Sequence, residues 1–333
     1  MIKIICMCLL AILSSILVIL IIPKLNKMKK QYETEYNKGI EAFENRMFDK
    51  AVNLFKSASI LDANKPEALY NLSLSYMKLG KSSEAEKYLN KALELNPDDS
   101  DVHYNLGVIN LTKKQLPNAA EHFKKSVELK DNDADCHYNL ALTYSEMEYY
   151  NDAIPHFKRA LSLNTKDIDY LLGLATAYDQ KGEKENSLDH LNAAIEYYTN
   201  AVELKFELEE AHYRLAINFA KKGMWQETVA YCNNVIKINP KSAKAYNQLG
   251  LALYCNGEVD DAIEMYKKSV EVQPDYAIAY NNLAYALEKH GDFTEAIETF
   301  KRYIELNPDE ESTKVIKDHI QELEDSILIK EQV

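Results

Sequence analysis

A chain of 333 residues exceeds what one compact core usually holds, so it reads as two ordinary domains or one repeat array. With 23 Tyr but only 9 Gly and 8 Pro, it lacks the turn residues an all-β protein of this size would need, which leaves a helical array. Residues 1–30 hold five Lys and no acid, so residues 31–333 carry 34 basic against 52 acidic groups, a formal −18 that speaks against a nucleic-acid surface. The five cysteines, at 6, 8, 136, 232 and 255, form no CxxC pair and no regular framework. Neither a zinc site nor a disulfide scaffold is expected from them, and their scatter suits a reducing compartment.

In chain order, the first predicted element is an apolar helix. From Ile4 to Ile22 run 19 residues without a charge, broken only by Ser14 and Ser15. As a helix this spans roughly 28 Å, enough for a single-pass membrane anchor, and the lipid bilayer is then a partner through residues 4–22. The run is longer than the apolar core of a cleaved signal, and Pro23-Lys24 comes next without a small-residue cleavage pattern. Residues 23–31 read as a basic juxtamembrane linker. Lys24, Lys27, Lys29 and Lys30 lie just after the span and only Lys3 and the amino terminus precede it, so the positive-inside bias places the rest of the chain in the cytoplasm.

The next elements repeat. Tyr36, Tyr70, Tyr104 and Tyr138 are each 34 residues apart, as are Asn37, Asn71, Asn105 and Asn139. A period that strict means stacked units. First halves such as EALYNLSLSYMKLG (67–80), DVHYNLGVINLTKK (101–114) and AYNQLGLALYCNG (245–257), and second halves such as EAEKYLNKALELNP (84–97) and EAIETFKRYIELNP (295–308), recur in phase. These segments resemble the tetratricopeptide-repeat family. The resemblance implies an all-α solenoid, a right-handed superhelix of helix pairs, over residues 32–310. Eight units would start near 32, 66, 100, 134, 168, 209, 243 and 277.

Each half makes sense as an amphipathic helix. Leu69, Leu72 and Tyr76 give a first helix one apolar stripe, and Tyr88, Leu89 and Ala92 give a second helix its own. Small residues stand where paired helices must approach, as Gly107, Ala141, Gly250 and Ala284 do, and again as Ala85, Ala119 and Ala153. Gly80, Gly182, Gly223, Gly257 and Gly291 are expected to end first helices in the left-handed conformation. Pro97, Pro240, Pro274 and Pro308 end second helices, and Pro117 and Pro155 are expected in the first turn of second helices.

The glycines are absorbed by this template except Gly173, and no Gly-rich loop, GxSxG, HExxH or Walker spacing exists. No catalytic residue, cofactor or small-molecule substrate is expected. His103, His137 and His212 share one template position and His122 and His156 another, so they read as repeat residues and not metal ligands. Bacterial membrane-anchored repeat proteins of this family that carry a paired-cysteine metal domain have a similar layout, but such pairs are absent here.

The fifth unit has seven extra residues between Gly182 and Glu209, close to two helical turns, which predicts a longer second helix. After residue 310 one more amphipathic segment, within 311–333, is expected to cap the array.

In this family first helices line a concave surface, and the position of Asn71 faces it. Residue by residue, the resemblance carries over to Asn37, Asn71, Asn105, Asn139, Gly173, Arg214, Gln248 and Asn282. This looks like the asparagine ladder in the repeat arm of O-linked N-acetylglucosamine transferases. A side-chain amide offers an acceptor and donors, so it can satisfy the backbone of an extended peptide whatever its sequence. Tyr36, Tyr70, Tyr104, Tyr138, Leu172 and Tyr213 stand one residue earlier, and Leu74, Val108, Leu142 and Ile217 one turn beyond. Gly173 breaks the ladder, predicting two sub-grooves, 36–142 and 213–285. Glu67, Asp101, Asp135, Asp169 and Glu210 favour helix N-termini and bias the groove against acidic ligands. Chaperone-tail receptors of the family use a clamp of cations, and only Arg214 and Lys244 offer any here. The expected function is a membrane-tethered scaffold binding extended or helical peptide segments of other proteins. The alternatives are a substrate-recruiting subunit of a separate transferase or assembly complex, and an exported envelope-assembly protein.

Overall fold

The computed structural model describes residues 21–308 and 310–331. Among them are 17 helices and no strand. The chain divides into two compact units, the first ending at Asn164 and the second beginning at Thr165. The first holds four helix pairs, α1 (Ile22–Glu44) with α2 (Phe48–Leu61), α3 (Pro66–Lys78) with α4 (Ser82–Leu95), α5 (Ser100–Thr112) with α6 (Leu116–Leu129), and α7 (Ala134–Glu146) with α8 (Tyr150–Leu163). The second holds α9 (Ile168–Glu185) with α10 (Leu188–Leu204), α11 (Glu209–Lys221) with α12 (Trp225–Ile238), α13 (Ala243–Asn256) with α14 (Val259–Val272), α15 (Ala277–His290) with α16 (Phe293–Leu306), and a final helix α17 (Glu310–Glu331).

Most pairs close a large second-helix side chain over a small first-helix residue; α12 has Cys232 at that position. A Cβ built on Gly107 would stand 2.6 Å from the ring of Phe123, and one on Gly250 would stand 2.7 Å from Tyr266. Elsewhere the small residue is Ala141 or Ala284, facing the fully buried Phe157 or Phe300. Where the second helix supplies a ring, its burial contributes about 3 kcal/mol. α17 extends this core by packing Ile316, Ile320 and Leu323 against Ile297 and Phe300. Asp99, Asp133 and Asp167 cap first helices by accepting backbone N–H bonds, Asp99 from Asp101 and Val102.

Several expectations need correction or refinement. The membrane anchor expected over 4–22 lies, but for its last two residues, outside the described residues. No described helix is long and apolar enough to cross a membrane, and residues 23–31 are not a linker but part of α1. The single-pass placement with cytoplasmic repeats is withdrawn on that finding; Lys24, Lys27, Lys29 and Lys30 make the start of α1 too polar for hydrocarbon.

The second helix of the fifth unit is longer, as expected, but its first helix takes more of the seven extra residues. α9 has 18 residues where α7 has 13, and α10 has 17 where α8 has 14, while the turn between them is one residue shorter. Gly182 is therefore inside a helix, and the left-handed cap passes to Asn186 at φ 50°. Gly80, Gly223, Gly257 and Gly291 do take positive φ. Pro117 is in the first turn of α6, but Pro155 stands one turn further into α8, where it leaves the exposed Asn151 carbonyl without a helical donor.

Candidate functional site

The first helices of the first unit are joined by a recurring polar rung. The amide nitrogen of Asn71 donates to the hydroxyl of Tyr36 at 2.9 Å and to the backbone oxygen of Glu67 at 2.9 Å. Asn105 donates to Tyr70 at 3.3 Å and to the Asp101 carbonyl at 2.7 Å. Asn139 donates to Tyr104 at 3.2 Å and to the Asp135 carbonyl at 2.9 Å. At Asn71, Asn105 and Asn139 the amide hydrogens are thus spent within the protein.

What remains is an acceptor and a different donor. Each asparagine Oδ1 is available to accept. Burial raises the Tyr36 and Tyr104 hydroxyls and pushes Tyr70 up to about 12, so each stays protonated and, having accepted from the amide, has its own hydrogen to donate. One acceptor and one donor per unit match the alternation along an extended peptide backbone. Asn37 is exposed on α1, and Tyr138 packs edge-on against Phe157 with ring centroids 5.7 Å apart.

In the second unit the same positions behave differently. Gly173 replaces the amide on α9, and between α9 and α11 Leu172 replaces the tyrosine and Arg214 the amide, so no rung of this kind forms there. Arg214 turns back to Glu210 of its own helix, Nε to Oε1 at 2.8 Å. Tyr213, half-buried and pushed up to about 12 by burial, and Gln248 are not hydrogen-bonded to each other among the described residues. The pattern resumes at Asn282, which donates to Oδ1 of Asn247 at 2.9 Å. Asn247, 7 % exposed, takes the place of the tyrosine; its 34-residue offset from Tyr213 is the available signal, and the residue-type change hides it.

The histidines have structural work. Nε2 of His103, His137 and His212 lies 3.0, 3.1 and 3.0 Å from the carbonyl oxygens of Pro97, Asp131 and Phe206, the loops that precede their helices. A carbonyl only accepts, so Nε2 carries the hydrogen and Nδ1 of a neutral ring is an acceptor. In the first unit that acceptor meets Nδ1 of a second-helix histidine, His103 with His122 at 3.1 Å and His137 with His156 at 3.0 Å. Burial, then the facing histidine, lowers the pKa of His122 and of His156. Among the described residues no group of three or more His, Cys, Asp or Glu could hold a metal ion.

Models of tetratricopeptide repeats match residues 70–134 and 247–311, 134–167, and 210–242, together more than half of the chain. The chain belongs to the tetratricopeptide repeat family. Among solved tetratricopeptide structures, YrrB, described as a TPR protein with an unusual peptide-binding site, is 26 % identical with a TM-score of 0.51, over 57 % of this chain and 95 % of its own. A tetratricopeptide repeat protein of Parabacteroides merdae (18 % identity, TM-score 0.51, 78 % of this chain and 98 % of its own) shares the fold. So does PilF of Pseudomonas aeruginosa (18 % identity, TM-score 0.50, 64 % of this chain and 94 % of its own). No curated protein matches the chain. Tetratricopeptide folds serve generally as scaffolds for protein–protein interaction, and the fold of this chain suggests the same.

Proposed function

We propose that this tetratricopeptide scaffold binds extended peptide segments of partner proteins along its first-helix face. Asn37, Asn71, Asn105 and Asn139 with Tyr70, Tyr104 and Tyr138 would act in the first unit, and Tyr213, Arg214, Gln248 and Asn282 in the second. The observation that carries the reading is the rung chemistry. Tyr36, Tyr70 and Tyr104 accept from the next unit's asparagine, which leaves one hydroxyl donor and one amide acceptor at each unit, a complement to backbone and not to any particular side chain. A peptide-binding site is also what YrrB, at 26 % identity, is described as having.

The test is affinity capture of partners by the chain, followed by calorimetry with the captured segment. Tyr70→Phe with Tyr104→Phe removes two hydroxyl donors and keeps the rings, so affinity should fall about 5–30-fold, with a lower melting temperature because the Asn105 and Asn139 amides lose their acceptors. Asn105→Ala with Asn139→Ala should weaken binding further, at a cost in stability. If both double variants bind every partner at full affinity, the peptide reading of this face is wrong.

A further inference from the structure

Where the rungs stop, two polar stripes face each other within the second unit. Thr176, Asp179 and Glu183 succeed one another about a turn apart on α9, and Glu210, Arg214, Asn218 and Lys221 do so on α11. Asp179 is 2 % exposed. Its two cationic neighbours are held elsewhere, Arg214 by Glu210 at 2.8 Å and Lys221 by Glu183 at 2.5 Å. Each stays 3.8 Å from an oxygen of Asp179, outside hydrogen-bond reach. Oδ1 of Asp179 accepts no hydrogen bond, and neither polar atom of the wholly buried Asn218 makes one.

This is an expensive arrangement to leave as it stands. Burial raises the pKa of Asp179; Lys221 lowers it, Glu183 raises it again, and Arg214 and the neighbouring Asn218 amide lower it. A buried acceptor without a donor costs about 1–3 kcal/mol. The set carries three carboxylates, Asp179, Glu183 and Glu210, against two cations, so it is short of one positive charge. Beside Glu183 and Lys221 opens a cavity of about 380 Å³ whose other walls include Leu188 and Leu191. It exists because of the long α9 and the tight turn through Asn186. Apolar walls beside Glu183, with Lys221 of the lining 3.8 Å from Asp179, suit a long aliphatic stem with a cationic head.

We propose that Asp179 is the specificity-determining contact for one lysine or arginine side chain of a bound peptide, the stem lying on Leu188 and Leu191 and the head group donating to Asp179 and to Oδ1 of Asn218. The bound head group displaces Lys221, which stays with Glu183. The inference rests on the peptide-binding reading of the first-helix face and deepens it.

Selection of a random twelve-residue peptide display library on the full chain tests it. Peptides with Lys or Arg enriched at one fixed position are expected, and replacing that residue by norleucine or citrulline should weaken binding about tenfold or more. Asp179→Asn, with a melting curve to show that it folds, should abolish the enrichment while still selecting peptides. Lys221→Gln removes the competing cation and should strengthen the basic peptide several-fold, whereas a merely structural pairing would make it weaker or leave it unchanged. Peptides selected without a basic position, enrichment that survives Asp179→Asn, or weakening by Lys221→Gln overturns the assignment of Asp179 and leaves peptide binding standing. A chain that selects no peptide at all overturns both.

Discussion

The two units of this chain share a template and use it differently. In the first, three successive Tyr–Asn rungs tie neighbouring first helices with one chemistry. In the second, the same positions hold Leu172, Gly173, Tyr213, Arg214, Asn247 and Gln248, and one Asn–Asn rung remains. Both units nevertheless close most of their helix pairs alike, a large side chain over a small one, with Cys232 the exception. The lesson is that packing stability resides in the pair interior, so the face presented to partners is free to diverge. The regular unit matches any backbone; the irregular one acquires charge and a cavity.

Four measurements would break or sharpen that contrast, in decreasing order of effect. Phe123→Ala empties the pair core under Gly107 and should lower unfolding stability by about 3–5 kcal/mol, whereas Cys232→Ala at the same template position of the second unit should cost of order 1 kcal/mol. Urea unfolding monitored by circular dichroism reports both units, and fluorescence of Trp225, the sole tryptophan, reports the second. A fluorescence transition that stays in place for Phe123→Ala while the circular dichroism moves to lower urea would show that the units unfold apart; coincident transitions would show that they do not.

Asn105→Ala removes a rung and a buried amide, and should cost about 1–3 kcal/mol in the same experiment. Gln248→Ala, at the corresponding place of the second unit, should stay within about 0.5 kcal/mol. Equal effects at the two positions would remove the distinction between the units. The third measurement concerns turns. The first unit places Arg46, Lys114 and Glu148 at positive φ, where the second places Gly223, Gly257 and Gly291. A side chain at positive φ is strained, so Lys114→Gly should stabilise by about 0.5–1 kcal/mol even though it gives up an exposed ion pair with Glu146, and Gly257→Lys should destabilise by a similar amount.

The smallest effect is the pH response, and its sign differs between groups. His122 and His156 are lowered in the folded first unit, as His212 is in the second, so the stability they contribute is present above about pH 6.5 and falls as the pH drops below it. Asp179 is raised instead. Folded protein then holds that proton more tightly than unfolded protein does, so acidification toward its usual carboxylate range adds stability there. Unfolding midpoints between pH 7.5 and 5 should flatten in His122→Gln with His156→Gln, and Asp179→Asn should change the profile only at the acid end.

Much of the fold is legible in the chain itself. The 34-residue recurrence of Tyr70, Tyr104 and Tyr138 and the alternation of small and large residues point to stacked helix pairs, because only a period near 34 lets each pair cover the next. The rung partners are visible as residues but not as partners. Tyr36 and Asn71 are 35 apart, a relation that exists only once one first helix lies against the next. The fate of the extra residues is not legible either, since Gly182 suits a helix end in sequence and stands inside a helix when the insertion lengthens α9. The apolar run at 4–22 reads as an anchor, whereas the described helices include no membrane span.

By itself, then, the sequence determined the all-α repeat class and the positions where small residues must meet large ones, because periodicity and side-chain volume are local properties. Tertiary structure alone decided that the asparagine donors are consumed by tyrosines, that histidines hold loop carbonyls, and that Asp179 is buried with its Oδ1 accepting no hydrogen bond. Each of those depends on a distance between helices, and hydrogen bonds fail over a few tenths of an ångström that no sequence spacing encodes.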